Sequence, residues 1–279
     1  PWVMGKSSQP FGNDSQLFDS SFGWRFINKK MKELYGAHAM GETAENLVDQ
    51  FGVSREDQDK FALWSQQKAA AAQKSGRLAE EIVKVAIPRR KQDDLIFEND
   101  EFIKGNTTLE GLAGLRAAFR KEGGSVTAGN ASGLNDGAGA MLIASEDGLK
   151  KHSLTPMARI ISSGVSGVEP RIMGIGPVEA SKLALKRAGL TMDDMDILEF
   201  NEAFAVQTLA CTRQLGVTDD DHRINPNGGA IAIGHPLGMT GSRILQTAAI
   251  ELKKQNKNFA LVAMCIGVGQ GYATIIENV

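Results

Sequence analysis

Three side chains of chemical use follow one another in the last third of the chain: Asn201 in Asn201-Glu202-Ala203-Phe204, His235 in Gly234-His235-Pro236, and Cys265 in Cys265-Ile266-Gly267. An amide, an imidazole and a thiol, each beside glycine or on a short polar break in apolar sequence, suit acyl-thioester chemistry. That chemistry requires a general base and a group that holds an oxyanion.

Each of the three also has a plainer reading. His235 sits in the run Gly228-Gly229-Ala-Ile-Ala-Ile-Gly234-His235-Pro236-Leu-Gly238, where the alternative is a capping or core histidine. Gly234 and Gly238 remove side chains around the imidazole and Pro236 fixes the chain after it, which points to a ligand-facing position. Cys265 ends an apolar run, where a small buried thiol is common. The glycines at 267, 269 and 271 argue the other way, because such turns expose backbone N–H groups to a developing negative charge. A cation or dipole beside the thiol would lower its pKa, and His235 could play that part if the fold brings the two together. Asn201 follows a strand-like run and is also a natural helix N-cap. At the carboxyl end of a strand it could equally orient a water or an oxyanion. Cys211, inside a helical pattern, reads as packing.

The elements that must position these groups differ along the chain. The first 120 or so residues are polar and helix-rich. Thr43-Ala-Glu-Asn opens a helix that stops at Gly52, Ser54-Arg-Glu-Asp starts a longer one that stops at Gly76, and Thr107-Thr-Leu-Glu110 starts a third carrying Leu112, Leu115 and Phe119. Between them Glu81 to Ile87 alternates like a strand until Pro88, and Arg89-Arg90-Lys91 with Asp93-Asp94 reads as a solvated turn. After Gly123-Gly124 the texture changes to glycine, alanine and β-branched residues. Strands are expected at Met141–Ala144, Arg159–Ser162, Asp196–Phe200, Ala260–Met264 and Tyr272–Ile276, with helices at Val178–Ala188, Glu202–Leu215 and Ser242–Lys254. Strands alternating with helices imply an α/β fold with a mainly parallel sheet. A weak echo between Gly129–Ile143 and Cys265–Ile276, two glycine-rich turns each feeding a buried strand, is what a duplicated fold would produce.

Composition bounds the rest. A chain of 279 residues, 42% hydrophobic and 23% charged, is an ordinary globular protein of one large domain or two smaller ones. A net charge of −2 gives no electrostatic case for nucleic acid, and apolar runs such as Phe259–Met264 are too short to cross a bilayer. Two cysteines without secretory features fit a reducing compartment, so the expected location is cytoplasmic. The first residue is Pro1, so the natural N-terminus is expected to lie elsewhere. Gly267-x-Gly269-x-Gly271 is not a dinucleotide fingerprint, since a strand follows it. His38, His152 and His222 lack metal-ligand spacing, read as surface residues, and no metal site is expected.

Taken jointly, Gly129-Asn-Ala-Ser132-Gly-Leu-Asn-Asp-Gly-Ala, Asn201-Glu-Ala-Phe-Ala, Gly-Gly-Ala-Ile-Ala-Ile-Gly-His235-Pro and Cys265-Ile-Gly-Val-Gly-Gln-Gly resemble the thiolases, over the whole chain. Pro1-Trp-Val-Met-Gly-Lys, Gly23-Trp24-Arg-Phe, Arg171-Ile-Met-Gly-Ile-Gly-Pro and Val268 resemble the 3-oxoadipyl-CoA branch more than the acetoacetyl-CoA enzymes, which usually have glycine at the position of Val268. The resemblance implies a thiolase fold: two similar βαβαβαββ halves packed in five α-β-α-β-α layers, with a helical loop domain inserted in the first. Residues 1–122 would be the CoA-binding loop domain, 123–150 the closing segment of the N-terminal half, and 151–279 the C-terminal half. The rest of the first half, with the family's nucleophilic cysteine, is expected outside this sequence.

The same resemblance assigns roles. His235 would activate that nucleophile and help bind the thioester oxygen, Asn201 would hold a water there, Cys265 would move the proton on carbon, and the Gly267 N–H would serve a second oxyanion hole. Ser132 would contact the pantetheine arm, Ala118, Phe119 and Leu134 would line its tunnel, Phe204 would lie near the thioester, and Lys104 near the CoA nucleotide. Coenzyme A and acyl-CoA are implied as substrates, with no permanently bound cofactor and with a homo-oligomer or an N-terminal fragment as partner. The chain by itself is expected to be inactive. A non-catalytic CoA-binding or assembly module and a 3-oxoacyl-carrier-protein synthase relative are the competing readings; the latter usually carries histidines where the Asn-Glu-Ala-Phe and Cys-Ile-Gly blocks stand.

Overall fold

The computed structural model describes residues 2–20 and 23–279; Pro1, which opens one of the resemblance motifs, lies outside the described residues. The chain begins with an antiparallel pair, β1 (Trp2–Met4) and β2 (Leu17–Asp19), followed by the helices α1 (Lys29–Tyr35), α2 (Met40–Phe51) and α3 (Arg55–Lys74). Ser54 caps α3 as its sequence predicts, its side chain accepting from Asp57 N at 3.0 Å. The opening of α2 is earlier than Thr43, because the Glu42 carboxylate reaches back to the Ala39 N–H at 2.7 Å and closes the first turn from there. β3 (Val85–Ile87) and β4 (Leu95–Phe97) form an exposed hairpin whose connection carries the mixed charges, with Arg89 Nε donating to Asp93 O at 2.9 Å. The third expected helix is much shorter than the pattern suggests. α4 (Leu109–Ala113) is capped by Thr108, and Leu115 and Phe119 lie beyond its end. Gly111 and Gly114 favour an early stop.

From 146 onward the elements are α5 (Glu146–His152), β5 (Ala158–Gly167), α6 (Gly176–Ala188), β6 (Ile197–Phe200), α7 (Ala205–Gln214), α8 (Ala230–Ile233), α9 (Thr240–Gln255), β7 (Phe259–Ile266) and β8 (Gln270–Asn278). The sheet order is β5-β8-β7-β6. This corrects the mainly parallel sheet: of its ladders only β6–β7 is parallel, while β5–β8 and β7–β8 are antiparallel. The helix-connected strands β5, β6 and β7 do run one way. β8 leaves β7 through a short turn, must therefore run against it, and inserts between β5 and β7.

Alternation along the strands explains the layers. Ile197, Ala260, Val262 and Ile276 face α9, where Ile244, Ala248 and Leu252 meet them. Leu198, Phe200, Leu261, Ala263, Ala273 and Ile275 face the other way, towards α6 and α7. Both faces are covered, so the strands read as continuous apolar runs. The second cluster also takes in Ala44 and Leu47 of α2 and Phe61 and Ala62 of α3, so one core joins the N-terminal helices to the sheet. α6 begins against β8 so closely that a Cβ on Gly271 would lie 2.1 Å from the carbonyl carbon of Gly176. Gly271→Ala is expected to cost about 1–3 kcal/mol through overpacking, read as a lowered urea midpoint; an unchanged midpoint would mean that α6 shifts freely.

The expected strand at Met141–Ala144 does not form. Leu142 and Ile143 are 75% and 64% exposed, and no described strand lies beside them to complete a ladder. The internal echo therefore holds only at its second copy. No helix among the described residues is long and apolar enough to cross a membrane.

Candidate functional site

β6 and β7 are parallel neighbours, so their carboxyl ends open at the same edge. Asn201 is the first residue after β6, and its backbone N–H donates to Ala263 O at 3.0 Å. That bond places the buried amide beside β7, two residues before Cys265. The Cys265 side chain points to the α7 face and is packed with Met173, Ala203 and Phe204. Burial pushes its thiol up to about 12, so it holds its proton at neutral pH. Gly267 follows in the turn, with only Met40 Cε, 4.0 Å away, near the place a Cβ would take.

His235 is brought in from a third element. After α8, Gly234 takes φ 91°, and a side chain there would strike Asn135 Oδ1 at 2.3 Å; only glycine admits both the turn and the close approach. The His235 N–H then donates to Gly133 O at 3.3 Å. Its Nε2 lies 3.2 Å from Asn201 Nδ2, and its Nδ1 lies 2.7 Å from Thr240 Oγ1. The Thr240 hydroxyl spends its single hydrogen on Pro236 O, at 2.8 Å. Thr240 can therefore only accept from the imidazole, which makes Nδ1 the protonated nitrogen and leaves the Nε2 lone pair towards Asn201. Burial, and then the positive charge of Arg243, hold the imidazole down to about 4. It is a neutral base throughout the physiological range. Asn201 Oδ1 is buried with no hydrogen-bond partner among the described residues.

A second buried network fixes the two loops relative to one another. Glu202 accepts from Ser65 Oγ at 2.6 Å, from Asn225 Nδ2 at 2.7 Å and from the Ile231 N–H at 3.2 Å. Asn225 in turn pairs with both the N–H and the carbonyl of Phe200, so the residue before Asn201 is held on both sides. Thr240, Glu202, Asn225 and Ser65 were not singled out by sequence. Only Glu202 had a signal, as a carboxylate inside an otherwise apolar block. Glu199, next to this pair on β6, is fully buried, and burial pushes its carboxyl up to about 8 against the opposing pull of Arg243.

The residues expected to hold a pantetheine chain also converge. Ser132 N–H donates to Ala203 O at 3.0 Å, and Ala131 bridges Phe204, so the 131–133 segment runs between the Asn201 and His235 loops. Phe119 meets Phe204 edge to face at 6.1 Å. Ala118 N–H donates to Val126 O, which keeps that segment against 125–127, and Leu134 stands 63% exposed. Lys104 is further out. Its Nζ lies 5.3 Å from the Phe102 ring, which in turn packs against Gly133. Cys211 is buried in α7 and donates to Gly174 O, a packing role. His38, His152 and His222 are exposed.

The α/β fold sets the Asn201–His235 pair and the Cys265 thiol about the carboxyl ends of two parallel strands, an arrangement suited to acyl transfer. Comparison with known proteins gives the same class. A family model described as thiolase, C-terminal domain, matches residues 154–278, and one described as thiolase, N-terminal domain, matches residues 19–147. A beta-ketoadipyl-CoA thiolase of Acinetobacter baylyi is 56% identical over 279 residues, which cover 100% of this chain and 69% of the relative. A 3-oxoadipyl-CoA/3-oxo-5,6-dehydrosuberyl-CoA thiolase of Escherichia coli is 53% identical with the same coverage. Among solved structures, human mitochondrial 3-ketoacyl-CoA thiolase superposes with a TM-score of 0.87 at 43% identity, over 100% of this chain and 68% of that one. The Bacillus anthracis acetyl-CoA acetyltransferase gives 0.86 at 40% identity, over 99% and 68%. The chain belongs to the thiolase family and is an acyltransferase of that type.

Proposed function

We propose that residues 1–279 carry the base, oxyanion and carbon-acid groups of a thiolase that cleaves 3-oxoadipyl-CoA with CoA to succinyl-CoA and acetyl-CoA. The observation that carries this reading is the Thr240–His235–Asn201 line ending at a lone pair, with the Cys265 thiol at the neighbouring strand end. Its substrate comes from the names of the relatives. His235 Nε2 would take the proton of an attacking thiol and, as imidazolium, donate to the thioester oxygen. The unpaired Asn201 Oδ1 fits a water in the same oxyanion site. Attack on the ketone carbon breaks the C–C bond and leaves the electron pair on the acetyl-CoA carbon. Cys265, protonated at neutral pH, would supply the proton that this carbon needs. CoA then takes the acyl group from the nucleophile.

The chain has two cysteines. Cys211 is sealed in α7 and Cys265 has the carbon-acid role, so the acyl-accepting thiol would come from another segment or chain. Residues 1–122 would act as the loop domain, 123–150 as the closing segment of the N-terminal half and 151–279 as the C-terminal half. The working form would be a homo-oligomer or an association with a segment carrying that cysteine, in the cytoplasm, with CoA and acyl-CoA as substrates. Joining the chain to the part of the Acinetobacter relative outside the match is expected to give CoA-dependent cleavage of 3-oxoadipyl-CoA. Residues 1–279 by themselves should show no acyl adduct in denaturing mass spectrometry after acetoacetyl-CoA. An adduct on Cys265 would overturn the division of roles, and a joined protein that binds CoA without cleavage would favour a binding module.

A further inference from the structure

Glu199 is fully buried on β6, and neither oxygen of its carboxyl has a hydrogen-bond partner among the described residues. Leu198 and Phe200 face α6 and α7, so alternation turns Glu199 to the α9 side. Its ladder partner is Val262, which packs with Ile244 of α9. Arg243 precedes Ile244, and its Nε and Nη2 are likewise buried without a hydrogen-bond partner among the described residues. An acid and a guanidinium thus stand at one helix–strand contact, each with two buried polar atoms unmet. Native interiors meet nearly all such atoms, through protein or through ordered water. An internal water typically makes about three hydrogen bonds, and the donors of Arg243 with the oxygens of Glu199 suit it.

Arg243 is also tied to the site. It lies in the first turn of α9, three residues after Thr240, whose hydroxyl receives the His235 Nδ1–H, and residues three apart share a helix face. After burial, its charge is the second cause that holds the imidazole down to about 4. The same charge pulls on Asp100 and on Glu199, in both cases against burial. For Glu199 burial prevails. Glu81 and Glu202 push the same way as burial, Lys68 adds to the pull of Arg243, and the carboxyl is pushed up to about 8. At neutral pH Glu199 is therefore mostly the neutral acid, which donates as well as accepts, and it leaves the positive charge of Arg243 intact.

We propose that Glu199 and Arg243 are joined through internal water, and that this link makes Glu199 a positioning residue for the base by keeping the guanidinium beside the His235 turn. The inference deepens the role given to His235 above and rests on it. Arg243 as a whole is only half-buried. A guanidinium not tied at Nε and Nη2 can turn towards solvent, where its charge is screened. Held inwards, it keeps the imidazole neutral and the Nε2 lone pair free for a thiol proton.

The test follows the His235 ring-proton NMR midpoint in the full chain, in Glu199→Gln and Glu199→Leu, and in each of them combined with Arg243→Gln. Glutamine keeps the neutral charge, the volume, a donor and an acceptor, so Glu199→Gln is expected to leave the midpoint at about 4. Glu199→Leu removes the water's partners and should raise it by about one pH unit or more. In the Arg243→Gln background Glu199→Leu should add nothing, because the two side chains act as one unit. An unchanged midpoint in Glu199→Leu, an equal rise in Glu199→Gln, or the same rise with and without Arg243 would overturn the pairing while leaving His235 a neutral base. A midpoint near about 6.5 in the unaltered chain would remove the base reading and the pair together. Should Glu199→Leu fail to fold, the unaltered chain decides. Its Arg243 Nε–H is expected to exchange with solvent about a hundredfold more slowly than a free guanidinium, and exchange at the free rate would overturn the link.

Discussion

Glu202→Ala is expected to destabilise the protein by about 3–5 kcal/mol, measured as a fall in the urea midpoint with little change in slope. Three donors end on this one carboxylate: the Ser65 hydroxyl, the Asn225 side-chain amide and the Ile231 N–H. All of them belong to buried residues, so none gains water when the carboxylate is lost. Each unsatisfied buried donor costs about 1–3 kcal/mol. The total is a large part of the 5–15 kcal/mol that holds a typical domain. Glu202→Gln keeps the volume but presents an NH2 where two sets of donors already converge, so it should also destabilise, by about 1–3 kcal/mol. The effect should reach the site, because Asn225 pairs with both backbone groups of Phe200 and so fixes the peptide from which Asn201 projects. A change under about 1 kcal/mol for Glu202→Ala would mean that the loop from 225 to 234 is held by other contacts.

Much of this arrangement is legible in the sequence because the physics is local. A strand covered on both faces needs an unbroken apolar run, so β6, β7 and β8 could be read directly. Ser54 announces α3 because its hydroxyl caps a helix three residues on. Gly234 and Pro236 bracket His235 because a tight turn must expose it. What could not be read depends on distant partners. Met141–Ala144 has a strand's composition, yet composition cannot say whether another strand lies alongside. The same limit hid the antiparallel place of β8, which is set by where a hairpin inserts and not by its own residues. Glu202 looks like one acidic residue in an apolar block, and its main partner, Ser65, is 137 residues away. The tautomer of His235 is a closer case. Thr240 is only five residues on, but its direction depends on the first turn of α9 forming over Pro236 O.

His235→Ala, in the joined enzyme described above, is expected to lower kcat for CoA-dependent cleavage by about 10²–10⁴, with a smaller change in KM. Among the described residues this side chain supplies the neutral base whose lone pair faces the Asn201 amide, and Asn201 has no acid–base chemistry of its own to replace it. The same imidazole predicts an unusual pH response. An ordinary histidine titrates near 6.5, but burial and Arg243 hold this one at about 4. Activity that depends on the neutral ring should therefore persist below pH 6 and fall only as pH approaches about 4. Stability follows from the same shift. Between about 6.5 and 4 the unfolded chain takes up the proton and the folded one does not, so this group lowers stability progressively as pH falls through that window and has no effect above it. Arg243→Gln removes one of the two causes, leaving burial. It should move the imidazole midpoint upward, as seen in the His235 ring-proton NMR shift, and carry the acid limb of activity with it. A midpoint already near 6.5 in the unaltered protein would mean that water reaches the ring. It would also mean that the Thr240–His235–Asn201 line is not the closed arrangement from which the base strength was argued.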